Sequence, residues 1–218
     1  MKNFLRNNGL SIVFLAFFII TLGGQVVAGL KQYNQEMQEL GGKQASVSEY
    51  FASGHFFEST FENWESEFLQ MGLFVVLSIF LYQKGSSESK DPDKEEEVDR
   101  EPNPHRKNVP WPVKKGGIVL SLYKYSLSIA FFFFFVLSFI LHWYGSWKDF
   151  NEEQTLKGLN TESASQYLGN SKLWFESFQN WQSEFLSILA IVIFSIFLRQ
   201  KGSAQSKPVD APNSQTEK

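Results

Sequence analysis

The chain has 218 residues and a formal net charge of −3, so no basic excess points to nucleic acid. It has no cysteine, which excludes disulfides, thiolate catalysis and cysteine-based zinc sites. The mean hydropathy of −0.20 is that of a soluble protein, but the average hides four apolar runs with the charges gathered between them.

The first run, GLSIVFLAFFIITLGGQVVAGL (residues 9–30), carries no charge. At about 1.5 Å per residue it can cross a hydrocarbon core of about 30 Å. A cleaved signal peptide is the competing reading, since MKNFLRNN resembles a basic leader and Val-Val-Ala before Gly29 a cleavage site. The third run has no such site, and it matches the first in the repeat described below. Next comes a loop with a break at Gly41-Gly42. Ser46-x-x-Glu49 then has capping-box spacing and predicts a short helix around Tyr50.

The second run, FLQMGLFVVLSIFLY (residues 68–82), is too short to span alone and must recruit the preceding NWESE. The stretch that follows, KDPDKEEEVDREPNPHRKNVPWPVKK, mixes charges and prolines without an apolar period. It predicts a disordered linker over residues 85–117. The third run is YSLSIAFFFFFVLSFILHWY (125–144). A second loop follows, with a break at Gly158 and the capping spacing Ser163-x-x-Gln166 before Tyr167. The fourth run, FLSILAIVIFSIFL (185–198), again leans on a preceding NWQSE. The tail from residue 202 is read as flexible.

Lys2, Arg6, Lys84, Lys114, Lys115, Lys124, Arg199 and Lys201 flank the runs on one side; the two shorter loops carry fewer basic residues. Both termini and the linker are therefore expected to be cytoplasmic. Lys114 and Lys115 are read first as a general topology signal, with attraction to anionic lipid as the alternative.

FENWESEFL (61–69) returns as FQNWQSEFL (178–186), an offset of 117 residues. The same offset aligns Lys31, Asn34 and Glu36 with Lys148, Asn151 and Glu153. It also aligns SIFLYQKGS with SIFLRQKGS. Polar loop residues match as well as apolar ones, so a duplicated hairpin is the reading. Each copy has an even number of spans, which makes the repeat parallel. The expected fold is all-α, with four transmembrane helices in two hairpins. The first hairpin covers 1–84, the linker 85–117, the second hairpin 118–201 and the tail 202–218.

On a helix, Asn63 and Glu67 share a face, as do Asn180 and Glu184. Gln25 and His142 occupy the level ends of the partner helices. These six residues are expected to meet in one polar layer, with Trp64 and Trp181 as interfacial anchors. A carboxylate at a membrane edge needs solvation, a partner or a proton. The layer therefore reads as a hydrogen-bond clamp between hairpins or, alternatively, as a proton or cation site. Two Glu and one His do not have the close spacing of a metal motif, so no metal or other cofactor is expected. No phosphate loop, GxSxG elbow or HExxH is present, and the expected role is non-enzymatic.

NNGLSIVFLAFF, FENWESEFLQMGLFVVLSIFLYQKGSSESKDP and WFESFQNWQSEFLSILAIVIFSIFLRQKGSAQSKPV together resemble an uncharacterised bacterial family known only as a domain of unknown function. The resemblance covers nearly the whole chain. It implies a bacterial integral membrane protein of this architecture and carries no catalytic residues with it. The expectation is a scaffold or partner-binding component of the cytoplasmic membrane, in contact with the lipid bilayer and with a membrane or envelope protein. The alternative is a small proton- or cation-coupled channel or transporter using Glu67 and Glu184.

Overall fold

The computed structural model describes residues 2–216, Lys2 by its backbone alone. Among them all regular structure is helical. The elements are α1 (Lys2–Glu39), α2 (Val47–Phe51), α3 (Gly54–Leu77), a 3-10 turn (Glu97–Asp99), α4 (Trp111–Lys115), α5 (Gly117–Lys124), α6 (Ser126–Leu156), α7 (Ala164–Tyr167) and α8 (Ser171–Phe197).

Three helices, α1, α6 and α8, are long and apolar enough to cross a membrane by themselves, rather than the expected four. The exception is α3. Any stretch of it long enough to cross includes Glu62, Glu65 and Glu67, and the helix stops at Leu77 instead of continuing through Tyr82. α1 runs unbroken through Gly23-Gly24. Between residues 85 and 117 the chain runs in turns broken by the 3-10 turn and α4, and from residue 202 to 216 it runs in turns and bends.

Two compact units divide the chain. The first comprises Met1–Phe61 and Ile140–Leu173. Here α1 and α6 end alike. Gly41, at φ 74°, and Gly158, at φ 67°, take the left-handed conformation that glycine adopts without a Cβ penalty. Beyond them, Gly42 N–H donates to Met37 C=O (2.7 Å) and Leu159 N–H to Gln154 C=O (2.8 Å), closing a Schellman motif on each helix.

The loops then fold back onto an asparagine. The Asn34 side chain donates to Ala45 C=O (3.0 Å) and accepts from Ala45 N–H (2.6 Å). Asn151, 117 residues on, does the same with both backbone groups of Glu162, each at 2.8 Å. Both capping boxes form. Glu49 N–H donates to Ser46 Oγ while Ser46 N–H donates to Glu49, and Gln166 and Ser163 repeat the exchange. Each short helix delivers a fully buried tyrosine, Tyr50 or Tyr167. Tyr50 packs on Tyr33, His55 and Phe56, and Tyr167 on Phe150. The Tyr167 hydroxyl meets Ser146 Oγ at 2.8 Å. Tyr50 instead lies over Gly29, where an added Cβ would fall 2.1 Å from its hydroxyl oxygen.

Asn151→Ala removes both bonds of one loop clamp. It is expected to cost about 1–2 kcal/mol and to lower the melting temperature of the purified protein by several degrees, measured by intrinsic fluorescence in detergent.

The start of α3 crosses α6 with backbones nearly touching. A Cβ on Gly54 would lie 2.3 Å from Asp149 N, and one on Gly145 would lie 2.4 Å from Glu58 N. Only glycine permits that approach.

The second unit comprises Glu62–Phe139 and Trp174–Lys218. Gly72 admits Phe131 and Phe132 against its backbone, and Phe68 stacks on Phe134 at 5.2 Å between ring centroids. Phe133, by contrast, is 61% exposed, as a lipid-facing residue would be. The tail closes on the start of the linker. Lys207 is buried, and its ammonium donates to the carbonyls of Gly85 (2.6 Å), Pro212 (3.3 Å), Asn213 (3.1 Å) and Gln215 (2.8 Å). Desolvation holds that ammonium below the usual lysine range. The carbonyl dipoles offset the cost of burying it, which lets a polar tail adopt a defined path.

Candidate functional site

The ends of α1 and α6, with the starts of α3 and α8, line an open polar cavity of about 480 Å³ in the first unit. Gln32 and Glu36 line it from α1 and Leu40 from the turn just after it, at four-residue spacing. Asp149 and Glu153 line it from α6 and Lys157 from the turn after that helix, at the same spacing. His55 and Glu58 come from α3, and Lys172 from α8. Gln32 and Asp149, Glu36 and Glu153, Leu40 and Lys157, and His55 and Lys172 are each 117 residues apart. Four positions on one side of the offset and their four counterparts thus line the same cavity.

Charge is arranged rather than scattered. Lys172 Nζ bridges Glu58 (2.9 Å) and Asp149 (3.4 Å). Lys157 pairs with Glu153, and Gln32 donates to Glu36 at 3.0 Å. Beside the cavity, the Tyr33 hydroxyl donates to Glu152 at 3.0 Å, tying α1 to α6. The Tyr50 hydroxyl lies 3.2 Å from His55 Nδ1, and burial raises its phenol above the ordinary range. The lining offers carboxylates, an imidazole and ammonium groups, with no hydroxyl or thiol. Such a cavity can hold a small polar guest or the charged side chains of a partner by paired hydrogen bonds.

The residues expected in the polar layer are placed as follows. Gln25 and His142 belong to the first unit. Gln25 donates to Thr60 Oγ1 (3.1 Å) and Ser59 Oγ (3.4 Å), and His142 is fully buried. Asn63, Glu67, Asn180, Glu184, Trp64 and Trp181 belong to the second. Asn63 and Glu67 are exposed, while Asn180 and Glu184 are half-buried. Glu67 lies within electrostatic reach of Glu184.

The face of α3 that packs is the adjacent one: Glu65, Ser66, Leu69 and Gln70. Glu65 is fully buried and accepts from Trp181 Nε1 at 3.0 Å, so Trp181 makes a bond inside the protein. Gln70 donates to Ser187, its own counterpart 117 residues later, at 3.3 Å. Glu65 was not legible in the sequence: the residue 117 positions on is Gln182, and helical periodicity alone does not say which face of α3 meets Trp181. The cavity was missed as well. Its signal was the pair of polar stripes 32/36 and 149/153 at the same offset.

The family model described as Domain of unknown function (DUF6766) matches residues 1–218, and the chain belongs to that family. No curated protein and no solved structure matches it.

Proposed function

We propose that the chain is a non-enzymatic scaffold or partner-binding component of the bacterial cytoplasmic membrane, built by duplication of a helical hairpin. The observation that carries this reading is the pair of loops closed by the same Schellman turn, asparagine clamp and capping box, beside one polar cavity. Ordering two loops so thoroughly opposes chain entropy, and a preorganised surface recovers that cost when it binds. α1, α6 and α8 cross by their own apolarity. α3 crosses with them, its Glu65 turned to Trp181 and its Gly72 to Phe131 and Phe132. Both termini and the linker then lie on the lysine- and arginine-rich cytoplasmic side, and the capped loops and cavity face outward.

The proximity of Glu67 to Glu184 favours one second reading, a small proton- or cation-coupled carrier. Flux of protons and monovalent cations into liposomes, measured for wild type beside the Glu67→Gln, Glu184→Gln double variant, separates the two. The scaffold reading expects both proteins to match empty liposomes. Wild-type flux that disappears in a folded double variant would overturn it in favour of the carrier.

A further inference from the structure

We propose that α4 and α5 form a membrane-surface anchor that selects anionic phospholipid headgroups. The two short helices are consecutive, joined through Gly116 alone. Between them Gly116 and Gly117 stand at φ 67° and 58°, so the chain turns sharply where a side chain would be strained. Trp111, Ile118, Leu122, Tyr123 and Tyr125 remain exposed, Trp111 at 63% and Ile118 at 79%. A soluble segment would not hold five large apolar side chains in water within fifteen residues.

The same segment, residues 111–125, contains Lys114, Lys115 and Lys124 and no acidic residue. Lys115 Nζ sits 4.9 Å over the Trp111 ring. Lys124 pairs with Glu101, whereas neither Lys114 nor Lys115 forms an ion pair among the described residues. Both lysines are exposed. Tyr125 is followed at once by α6, an apolar membrane-crossing helix, so the patch continues into lipid-facing surface.

Aromatic and aliphatic side chains beside unpaired ammonium groups, at the mouth of a spanning helix, complement one surface: the headgroup layer of an anionic leaflet. The aromatic rings bury at the acyl boundary while the two lysines reach phosphate. Each lysine near such a surface contributes about a fivefold preference.

The test uses the full chain in lipid nanodiscs containing spin-labelled phosphatidylglycerol or spin-labelled phosphatidylcholine. The signal of Trp111 is isolated by subtracting that of Trp111→Phe. Quenching is expected to be stronger with labelled phosphatidylglycerol. In Lys114→Gln, Lys115→Gln that preference should fall at least about tenfold, with the folded fraction unchanged. The amount of phosphatidylglycerol retained per protein after purification from a mixed-lipid extract, read by mass spectrometry, should fall in parallel. Equal quenching by the two lipids, or a preference that survives loss of both lysines, would overturn the proposal. Absence of quenching by either lipid would also overturn it, and would assign the patch to a protein partner or a second copy of the chain.

Discussion

Gly145→Ala is expected to destabilise the protein by about 3 kcal/mol or more and to lower its melting temperature by about 6–12 °C. The added methyl would lie 2.4 Å from Glu58 N, 2.6 Å from Phe57 Cβ and 2.8 Å from Phe57 C. Two of these three are backbone atoms of α3, which cannot rotate away. The helices must separate, and the separation also pulls on the contact of Gly54 with Asp149 N and Gly145 O. Gly54→Ala should therefore give a loss of similar size, and the double variant should cost much less than the two added, because both act on one crossing. Gly23→Ala and Gly24→Ala are the controls. Nothing lies within 4 Å of a Cβ at either position, and both are inside α1, so alanine should be neutral or stabilising by up to about 1 kcal/mol. Thermal unfolding followed by size-exclusion chromatography in detergent reads all five variants. An unchanged melting temperature for Gly145→Ala would mean that the crossing is not as tight as described.

This crossing was not legible in the sequence. Gly145 and Gly54 sit in sequence among aromatic and polar residues with no small-residue spacing around them, and close approach is a property of two segments together. What could be read were features whose cause is local. The breaks at Gly41 and Gly158, and the capping boxes at Ser46 and Ser163, each depend on a few neighbouring residues, and they form as expected. The apolar runs gave α1, α6 and α8 for the same reason. α3 was harder. Its glutamates are tolerated or not according to what faces them, and only the three-dimensional partner of Glu65, the Trp181 indole, answers that. Periodicity put Asn63 and Glu67 on one helical stripe that runs on to Gln70, which donates to Ser187, but it did not single out the buried Glu65 beside that stripe. Near the tail, one lysine donates to four carbonyls, an arrangement that no hydropathy pattern registers.

The second large effect is expected at the cavity. Lys172→Met keeps the aliphatic stem and removes the ammonium that Glu58 and Asp149 share. Their side chains are 13% and 19% exposed, so water screens them poorly, while Lys172 itself is 34% exposed. Breaking a fully buried ion pair costs about 3–5 kcal/mol, and partial exposure should bring this one to about 2–4 kcal/mol. The loss should depend on pH. Without the lysine, two neighbouring carboxylates repel, and the folded state then binds a proton more readily than the unfolded chain does. A group held in that way is destabilising when ionised and harmless when protonated, so the deficit is full near about pH 8 and shrinks toward about pH 5. Asp149→Asn in the same background removes one of the two charges and should recover much of the stability at the higher pH. Melting temperatures of the three proteins across that range provide the check. If the Lys172→Met deficit is flat with pH, and Asp149→Asn recovers nothing, then Lys172 acts by packing and the charge arrangement of the cavity is not what holds its walls together. If the deficit follows the carboxylates, the cavity is an electrostatically tuned site whose walls stay in place only while its charges balance. Such a site would respond to any charged guest that entered it.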